Sequence, residues 1–301
     1  MFAKCFKSTC LMVFVAACAG QPVSVSEPES ADAEITVPED IDSPDWRDVH
    51  AEDLVLLETA RGVIAIELNI SFAPNHAERF RDLIRAGVYD GEYFYRVIDG
   101  FVAQAGVQDE AKMEGWPDLR NENDRSASFE PFVPLGNADL FTDLVGHTGT
   151  GFSMARDKEL GREWLLHCPG AVAMARDGHP DSGGTEFYIV LGPQRYLDRN
   201  LTIFGRVIDG MEHVQSLERG NRSIESGVIQ PPRTGDEMIS VRIAADLPEA
   251  ERPRFQVMQT RTEAFEAAKR ARRVRNEGFF YRKPPEVMDI CGFGVPVRRV
   301  R

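Results

Sequence analysis

Apolar and polar residues alternate along two short segments, 54–59 and 63–68. This period of two predicts β-strands with one buried face, and the pair Arg61–Gly62 between them predicts a hairpin turn. From Pro74 to Gly87 the period changes, because apolar residues recur every three or four positions. That second pattern predicts an amphipathic helix that begins at the proline and ends at the glycine.

More short segments rich in β-branched and aromatic residues follow. The predicted strands are two within 94–106, then 171–175, 186–191, 201–207 and 238–243, while 211–217 predicts a second short helix. Many short strands with only two helices predict a mainly β protein with a closed antiparallel barrel. Residues 107–166 carry loop-like runs such as NEND and GHTGTG without a sustained period, so we expect a long, partly irregular insertion there.

The chain changes character after residue 247. Residues 261–277 have a strongly helical and basic pattern, and the final residues, GFFYRKPPEVMDICGFGVPVRRVR, are aromatic and rich in proline and glycine. We therefore expect a C-terminal extension, 248–301, on a domain of residues 54–247. The basic helix is expected to pack on the barrel with its charged face in solvent, and a helix that holds an anionic partner is the alternative.

The N-terminus is typical of an export signal. Residues 1–17 combine two lysines with an apolar run that is too short for a permanent membrane span. The sequence VAAC that ends at Cys18 resembles a bacterial lipobox, in which the cysteine becomes the lipidated first residue; the alternative is a signal peptide cut after Ala17 or Ala19. Both predict an exported, periplasmic protein. Lipidated Cys18 would anchor it to the outer membrane, since Ala19 offers no inner-membrane retention signal.

Residues 18–53 are expected to form a disordered tether. From residue 19 on, this segment contains eleven acidic residues and four prolines, and Arg47 is its one arginine or lysine. Low hydrophobicity and like charges keep such a segment extended. The tether supplies most of the excess negative charge of a chain whose formal net charge is −13. This acidity argues against nucleic acid as a partner.

Two cysteines remain in the predicted folded part, Cys168 and Cys291. An exported protein meets a compartment that permits disulfides. A bond between these two would join the C-terminal extension to the barrel. They could also stay as unpaired, buried thiols, which is slightly favoured with no geometry to pair them.

Three histidines outside the predicted strands could suggest a metal site. His147, His167 and His179 do not have metal-ligand spacing, so we expect loop or surface residues. The run Gly146–Gly151 lacks the Gly-Lys-Ser/Thr ending of a phosphate-binding loop. We expect neither a metal nor a cofactor.

One arginine stands inside a segment that otherwise predicts a half-buried strand. In FYRVIDGFVAQAG, residues 94–106, Arg96 lies among aromatic and β-branched residues, before the predicted turn Asp99–Gly100. A charge at such a position is costly unless it has a partner or a function. A carboxylate partner such as Asp99 is the structural explanation, and a binding site is the functional one.

Three segments together resemble the cyclophilins, which are peptidyl-prolyl cis-trans isomerases. They are FYRVIDGFVAQAG, AMARDGHPDSGGTEFYIVL at 173–191 and RYLDRNLTIFGRVIDGM at 195–211. The preceding segments LETARGVIAIEL and PNHAERFRDLIRAGVYDG match in order and spacing. The resemblance covers residues 54–243. It implies a closed eight-stranded antiparallel β-barrel capped by two helices, with an insertion of roughly twice the usual length at 107–166.

The resemblance implies that Arg96 is catalytic. Rotation about an amide meets a barrier of about 20 kcal/mol. A guanidinium that donates a hydrogen bond to the prolyl nitrogen favours the twisted transition state. Proline-containing polypeptides are the implied substrates. The implied binding residues are Phe101, Val102, Tyr188 and Leu197 around the proline ring, Tyr196 at the rim, Gln104 for the substrate carbonyl or for holding Arg96, Ala175 and Arg176 as backbone partners, and Glu186 beside the site.

Several positions depart from the family pattern. Tyr95 and Leu201 replace histidines, Tyr196 replaces a tryptophan, and Glu186 replaces a glutamine. Glu186 could pair with the catalytic arginine or steer cationic substrates. An Arg96–Glu186 salt bridge over an empty pocket would favour a non-catalytic module that binds proline-containing peptides. An arginine free of carboxylates would favour a monomeric isomerase that acts on envelope and secreted proteins, which is the function we expect.

Overall fold

Strands dominate the structure, a computed structural model that describes residues 43–127 and 131–300. The strands are β1 (Trp46–Asp48), β2 (Leu54–Thr59), β3 (Gly62–Leu68), β4 (Tyr93–Val97), β5 (Val102–Gly106), β6 (Arg125–Ser126), β7 (Phe132–Pro134), β8 (Val145–Thr148), β9 (Ser153–Asp157), β10 (Arg162–Leu165), β11 (Ala171–Met174), β12 (Glu186–Val190), β13 (Ile203–Asp209), β14 (Asp236–Glu237), β15 (Ser240–Ile243), β16 (Arg254–Met258) and β17 (Val297–Val300). The α-helices are α1 (Pro74–Arg85), α2 (Glu110–Met113), α3 (Met211–Gln215) and α4 (Glu263–Arg273). Short 3-10 helices lie at Ala51–Asp53, Arg195–Leu197, Glu225–Gly227, Ala244–Asp246, Glu249–Glu251 and Ile290–Gly292.

The largest sheet has the strand order β14-β4-β5-β12-β11-β13-β3-β2-β15, and its neighbouring strands are antiparallel. Its two edge strands follow each other in the chain, separated by Met238 and Ile239. The Met238 amide donates to the Glu92 carbonyl, next to β4, and the Ile239 amide donates to Glu58 on β2. One segment, 236–243, therefore borders both edges of the sheet. This arrangement fits the predicted eight-stranded barrel, with β14 and β15 as two parts of one strand.

The inner face of this sheet forms an apolar core with helix α1. The Phe80 ring of α1 lies 5.0 Å from the rings of both Phe187 and Phe204, which face it from β12 and β13. The helix begins at the predicted proline, and the Glu122 carboxylate accepts hydrogen bonds from the backbone amides of its first turn. A carboxylate at that end is favoured because the first amides of a helix have no partner within it.

The insertion is more regular than the sequence predicts. Strands β6 to β10 form a five-stranded sheet in the order β6-β10-β9-β8-β7. Glu163 on β10 is fully buried, and its carboxylate accepts hydrogen bonds from Arg125 at 2.8 Å and from Arg156 at 2.6 Å. A buried carboxylate is thus paired with two half-buried arginines, and such charged positions remove the alternation that would have revealed the strands. The sequence did not predict these five strands, whereas the segment 135–144 between β7 and β8 is irregular, in agreement with a partly irregular insertion.

Two histidines of this region are buried. His147 lies on β8, so the predicted loop or surface position is wrong for it, whereas His167 lies in the loop after β10, as predicted, but away from the surface. His147 and His167 are both fully inaccessible to solvent. The Nε2 atom of His147 lies 3.1 Å from the Phe293 carbonyl, and burial lowers the pKa of this imidazole to about 4. His179 is exposed, as predicted.

Residues 46–53 belong to the folded domain, so the prediction of a disordered tether up to residue 53 is wrong. Strand β1 pairs with β16, which pairs with β17. The Trp46 ring lies 4.3 Å from the Arg298 guanidinium, and Arg47 forms a 2.6 Å ion pair with Glu67. Asp48 accepts a hydrogen bond from Gln256, 208 positions away. The acidic composition suggested disorder, and the partners that order this segment could not be recognised because they are distant in the chain. Residues 1–42, with the predicted signal and Cys18, lie outside the described residues.

The C-terminal extension packs against the insertion and the barrel. Helix α4 lies within the predicted segment 261–277, and its buried Phe265 ring lies 5.5 Å from the ring of His147. Strands β16 and β17 were not predicted. A disulfide joins Cys168 to Cys291, with their Cα atoms 4.8 Å apart, so the interpretation as unpaired thiols is wrong. None of the helices in 43–127 and 131–300 has the length and apolar character needed to cross a membrane.

Candidate active site

Arg96 faces outward because strand β4 is irregular. The pairing of β4 with β5 shifts register between Tyr93 and Arg96. Phe94 and Val97 are both buried although they are three positions apart, which regular alternation does not allow. The irregularity therefore leaves Tyr95 and Arg96 half-buried on the outer side of the sheet.

Two hydrogen bonds hold the Arg96 guanidinium. Its Nη1 atom donates to Gln104 Oε1 at 2.9 Å, and Gln104 is its direct partner on β5. Its Nε atom donates to the carbonyl of Ser226 at 2.8 Å. The Phe101 ring centroid lies 5.7 Å from the guanidinium carbon. The side chain is fixed between strand β5 and the 3-10 helix Glu225–Gly227.

Glu186 sits beside Arg96 and does not pair with it. The Glu186 carboxylate accepts hydrogen bonds from the Tyr95 hydroxyl at 2.7 Å, from Gln104 Nε2 at 2.9 Å and from Gln108 Nε2 at 2.7 Å. Among residues 43–127 and 131–300, Arg96 forms no ion pair. Asp99, the other carboxylate considered, lies 3.5 Å from the Nε atom of Arg219.

The Gln104 amide group has one orientation in which it makes a hydrogen bond with each of its polar neighbours. Its amide nitrogen donates to Glu186 and to the Tyr95 hydroxyl, the latter at 2.6 Å, while its oxygen accepts from Arg96. Burial raises the pKa of Tyr95, and the Glu186 carboxylate raises it further, so the hydroxyl keeps its proton. The glutamate therefore orients the amide that holds the arginine.

Strand β12 approaches β5 closely at Glu186. Gly106 is the direct partner of Glu186, and a Cβ atom at position 106 would lie 2.7 Å from the Glu186 Cα atom. The φ angle of Gly106 is 141°, which other residues rarely adopt. Glycine at this position lets the carboxylate reach Gln104.

An apolar surface lies next to the arginine. Val102 and Tyr188 are buried in one cluster, against which the half-buried Phe101, Ala175 and Leu201 pack. The Tyr188 hydroxyl lies 2.9 Å from Nε2 of His167, so the ring is fixed from below. Tyr188 is thus buried and held in position, whereas Phe101 is more accessible to solvent.

A cavity of about 290 Å³ adjoins Gln104 and Glu186. Ala175 and Arg176, predicted from the sequence, also line it. The Ala175 amide donates to the Glu186 carbonyl at 2.9 Å, and the Arg176 side chain is turned to the carbonyls of Asn200 and Asp177. The fold brings these four predicted residues together.

Other predicted residues lie outside this cavity, and some that line it were not predicted. Tyr196 is 61% exposed and Leu197 is half-buried on a short 3-10 helix, and neither lines the cavity. Met113 and Trp116, from the insertion, do line it. The sequence carried no signal for the Ser226 carbonyl, because a backbone group shows no residue type. No group of three or more metal-ligating side chains occurs in the described part of the chain.

Comparisons with known proteins agree with this geometry. Residues 54–242 match the family described as cyclophilin type peptidyl-prolyl cis-trans isomerase/CLD. A probable peptidyl-prolyl cis-trans isomerase from Brucella suis biovar 1 is 31% identical over 197 residues, which cover 65% of this chain and 84% of the relative. A peptidyl-prolyl cis-trans isomerase-like 3 from Gallus gallus is 32% identical over 166 residues, 55% of this chain and 81% of the relative.

A solved structure extends the likeness beyond the barrel. The crystal structure of cyclophilin AquaCyp293 from Hirschia baltica is similar with a TM-score of 0.68 and 28% identity, and the match covers 84% of this chain and 93% of that one. The family match alone covers more than half of the residues of this chain. The chain therefore belongs to the cyclophilin-type peptidyl-prolyl cis-trans isomerase family.

Proposed function

We propose that this chain accelerates X–Pro isomerisation through Arg96. A guanidinium has five N–H groups, and two hydrogen bonds to the protein engage one each on Nε and Nη1. The others have no partner among the described residues and can reach a substrate. As the amide twists, the prolyl nitrogen regains its lone pair, and an N–H donor directed at it stabilises the transition state more than either planar state. The reaction needs no acid, base or nucleophile.

The remaining residues position the substrate. The proline ring would pack on Phe101 and Val102 above Tyr188, while Leu197 and Tyr196 lie farther along the rim. An extended chain would run past the backbone of Ala175 and Arg176, as strands bind peptides. Because the Gln104 side chain holds Arg96, the surface that would contact the proline ring consists of apolar side chains.

The observation that supports an enzyme is that no carboxylate of the described residues pairs with Arg96. The Glu186 carboxylate instead accepts hydrogen bonds from Tyr95, Gln104 and Gln108. A non-catalytic module that only binds proline-containing peptides was the alternative, and it depended on an Arg96–Glu186 ion pair. The described contacts favour the isomerase.

The proposal extends to location and clients. The pattern of residues 1–17 and the lipobox-like VAAC favour an exported chain anchored to the outer membrane through Cys18. The Cys168–Cys291 disulfide supports an oxidising compartment. A monomer held near the membrane would act on envelope and secreted proteins, whose slow X–Pro steps limit folding.

The test is a protease-free isomerisation assay of an X–Pro peptide with the chain from residue 19 onward. We expect Arg96→Ala to lower kcat/KM by about 100-fold or more, as loss of a transition-state donor does. Arg242→Ala is the matched control, because that arginine pairs with Asp90 on another part of the barrel. An inactive wild-type chain that still binds the peptide would favour the non-catalytic module instead.

A further inference from the structure

Large aromatic side chains are exposed in the loop that follows helix α4, residues 276–287, here called the aromatic loop. Phe279 and Tyr281 are 87% and 90% exposed, and Val287 is 64% exposed. The Phe280 ring is half-buried and lies 5.2 Å from the Phe279 ring. Contiguous exposed apolar residues of this size mark an interaction surface.

The same segment is basic in an acidic protein. Residues 270–287 contain six arginine or lysine residues and two glutamates, a net charge of +4, whereas the whole chain has a net charge of −13. The Arg282 guanidinium lies 5.5 Å from the Tyr281 ring. Within the described ranges Arg272 and Arg282 form no ion pair. The pairs that exist, such as Lys283–Glu286 at 2.7 Å, are solvent-exposed and weak.

The aromatic loop is held in place at both ends. Before it, α4 buries Phe265 completely. After it, Met288 and Ile290 are buried, and Cys291 is bonded to Cys168 of the barrel domain. The two ends of the loop are therefore anchored to the folded domain, and the arginines at the end of α4 directly precede the loop in the chain. Such a surface can bind without first being ordered.

We propose that the aromatic loop, with the basic residues at the end of α4, binds the surface of an anionic phospholipid bilayer. Aromatic rings favour the interface between headgroups and acyl chains. Basic side chains are attracted to anionic headgroups over about one Debye length. One loop gives weak, reversible binding, which becomes effective together with a second attachment. None of the described hydrogen bonds or ring contacts joins residues 276–287 to Arg96 or to its partners Gln104, Ser226 and Phe101, so we expect bilayer binding and isomerisation to be independent activities.

The first experiment measures sedimentation with vesicles of phosphatidylcholine alone or mixed with phosphatidylglycerol. The chain from residue 19 onward is used, because it lacks the predicted lipid site. We expect binding to the anionic vesicles that is lost when salt rises from about 0.1 M to about 1 M. Phe279→Ser/Tyr281→Ser should lower the partition at least about tenfold. Leu140→Ser/Leu160→Ser is the matched control, since both leucines are exposed elsewhere, and it should bind like the wild type.

A second pair of variants tests the charge. Arg282→Ala/Lys283→Ala should lower binding to the anionic vesicles by about 25-fold, at roughly fivefold per charge. Arg120→Ala/Lys158→Ala, which removes two exposed cations of the insertion, should leave binding nearly unchanged. Isomerase activity in solution should be the same in all four variants, which shows that each is folded.

Three results would overturn the proposal. The wild type could fail to bind anionic vesicles, or the control variants could lose as much binding as the test variants. The third result is self-association in analytical ultracentrifugation that Phe279→Ser/Tyr281→Ser abolishes, without vesicle binding. That outcome would assign the surface to a second copy of the chain. If the chain still catalyses isomerisation when one of these results is obtained, the function proposed for Arg96 is unaffected.

Discussion

Removal of the Cys168–Cys291 disulfide should destabilise the domain without affecting catalysis. The bond joins residues 123 positions apart and so constrains the unfolded chain strongly. In the chain-entropy description, a loop of this length loses about 16 cal/mol/K, or ~5 kcal/mol at 25 °C. Measured effects of native disulfides are usually about 2–5 kcal/mol, so the calculated value is an upper estimate.

Other contacts keep the C-terminal extension in place when the bond is absent. Strand β17 pairs with β16 over four residues, and Ile290 and Phe293 are buried on either side of Cys291. We therefore expect Cys168→Ala/Cys291→Ala to fold and to lose about 3–5 kcal/mol of unfolding free energy. With an m-value of about 3 kcal/mol/M, the urea midpoint should fall by about 1–1.7 M.

The assay compares urea unfolding of the wild type and of the double variant, each with and without a thiol reductant. The reductant should lower the midpoint of the wild type and leave that of the variant unchanged. Isomerase activity should stay within about twofold, because Arg96 is held by Gln104 and Ser226, and because His167, which precedes Cys168 and contacts Tyr188, is itself held by Asp198. A wild-type midpoint that neither reduction nor mutation moves would refute the reasoning that this bond constrains the unfolded chain.

Two further predictions concern carboxylates. Glu186→Ala should lower kcat/KM about threefold to tenfold, because the Gln104 amide loses the acceptor that orients it. Glu186→Gln keeps an acceptor, so its kcat/KM should stay within about twofold of the wild type. If both variants lose kcat/KM equally in the X–Pro assay, the charge of Glu186 matters and not the orientation of the amide. Burial alone would raise the pKa of Glu163, but the hydrogen bonds from Arg156 and Arg125 outweigh burial and hold the pKa below its ordinary value of 4.5. This carboxylate therefore stabilises the fold above about pH 4.5, and the contribution is lost as pH falls through the lower folded pKa. Glu163→Gln should cost about 2–3 kcal/mol at pH 7 and less at pH 3, measured by urea midpoints; a cost that does not shrink in acid would contradict this assignment.

Local patterns in the sequence determined the barrel strands and helix α1. Alternation over 54–59 and 63–68, and the proline and glycine around the helix, depend on neighbours within a few positions. The motif around Arg96 also lies within one hairpin, so its partner Gln104 could be named from the resemblance alone. That Gln104 holds the arginine, with Glu186 orienting the amide, required the structure.

Contacts between distant segments were decided only by the tertiary structure. Residues 46–53 are ordered because they contact Arg298 and Gln256. Glu163 can be buried because two arginines from different strands pair with it. The disulfide forms because folding brings two distant chain segments together. An acidic run or a charged strand has the same composition with or without such partners. Sequence periodicity reports which face of a segment is apolar, whereas the free energy of burying a charge depends on what folding places beside it.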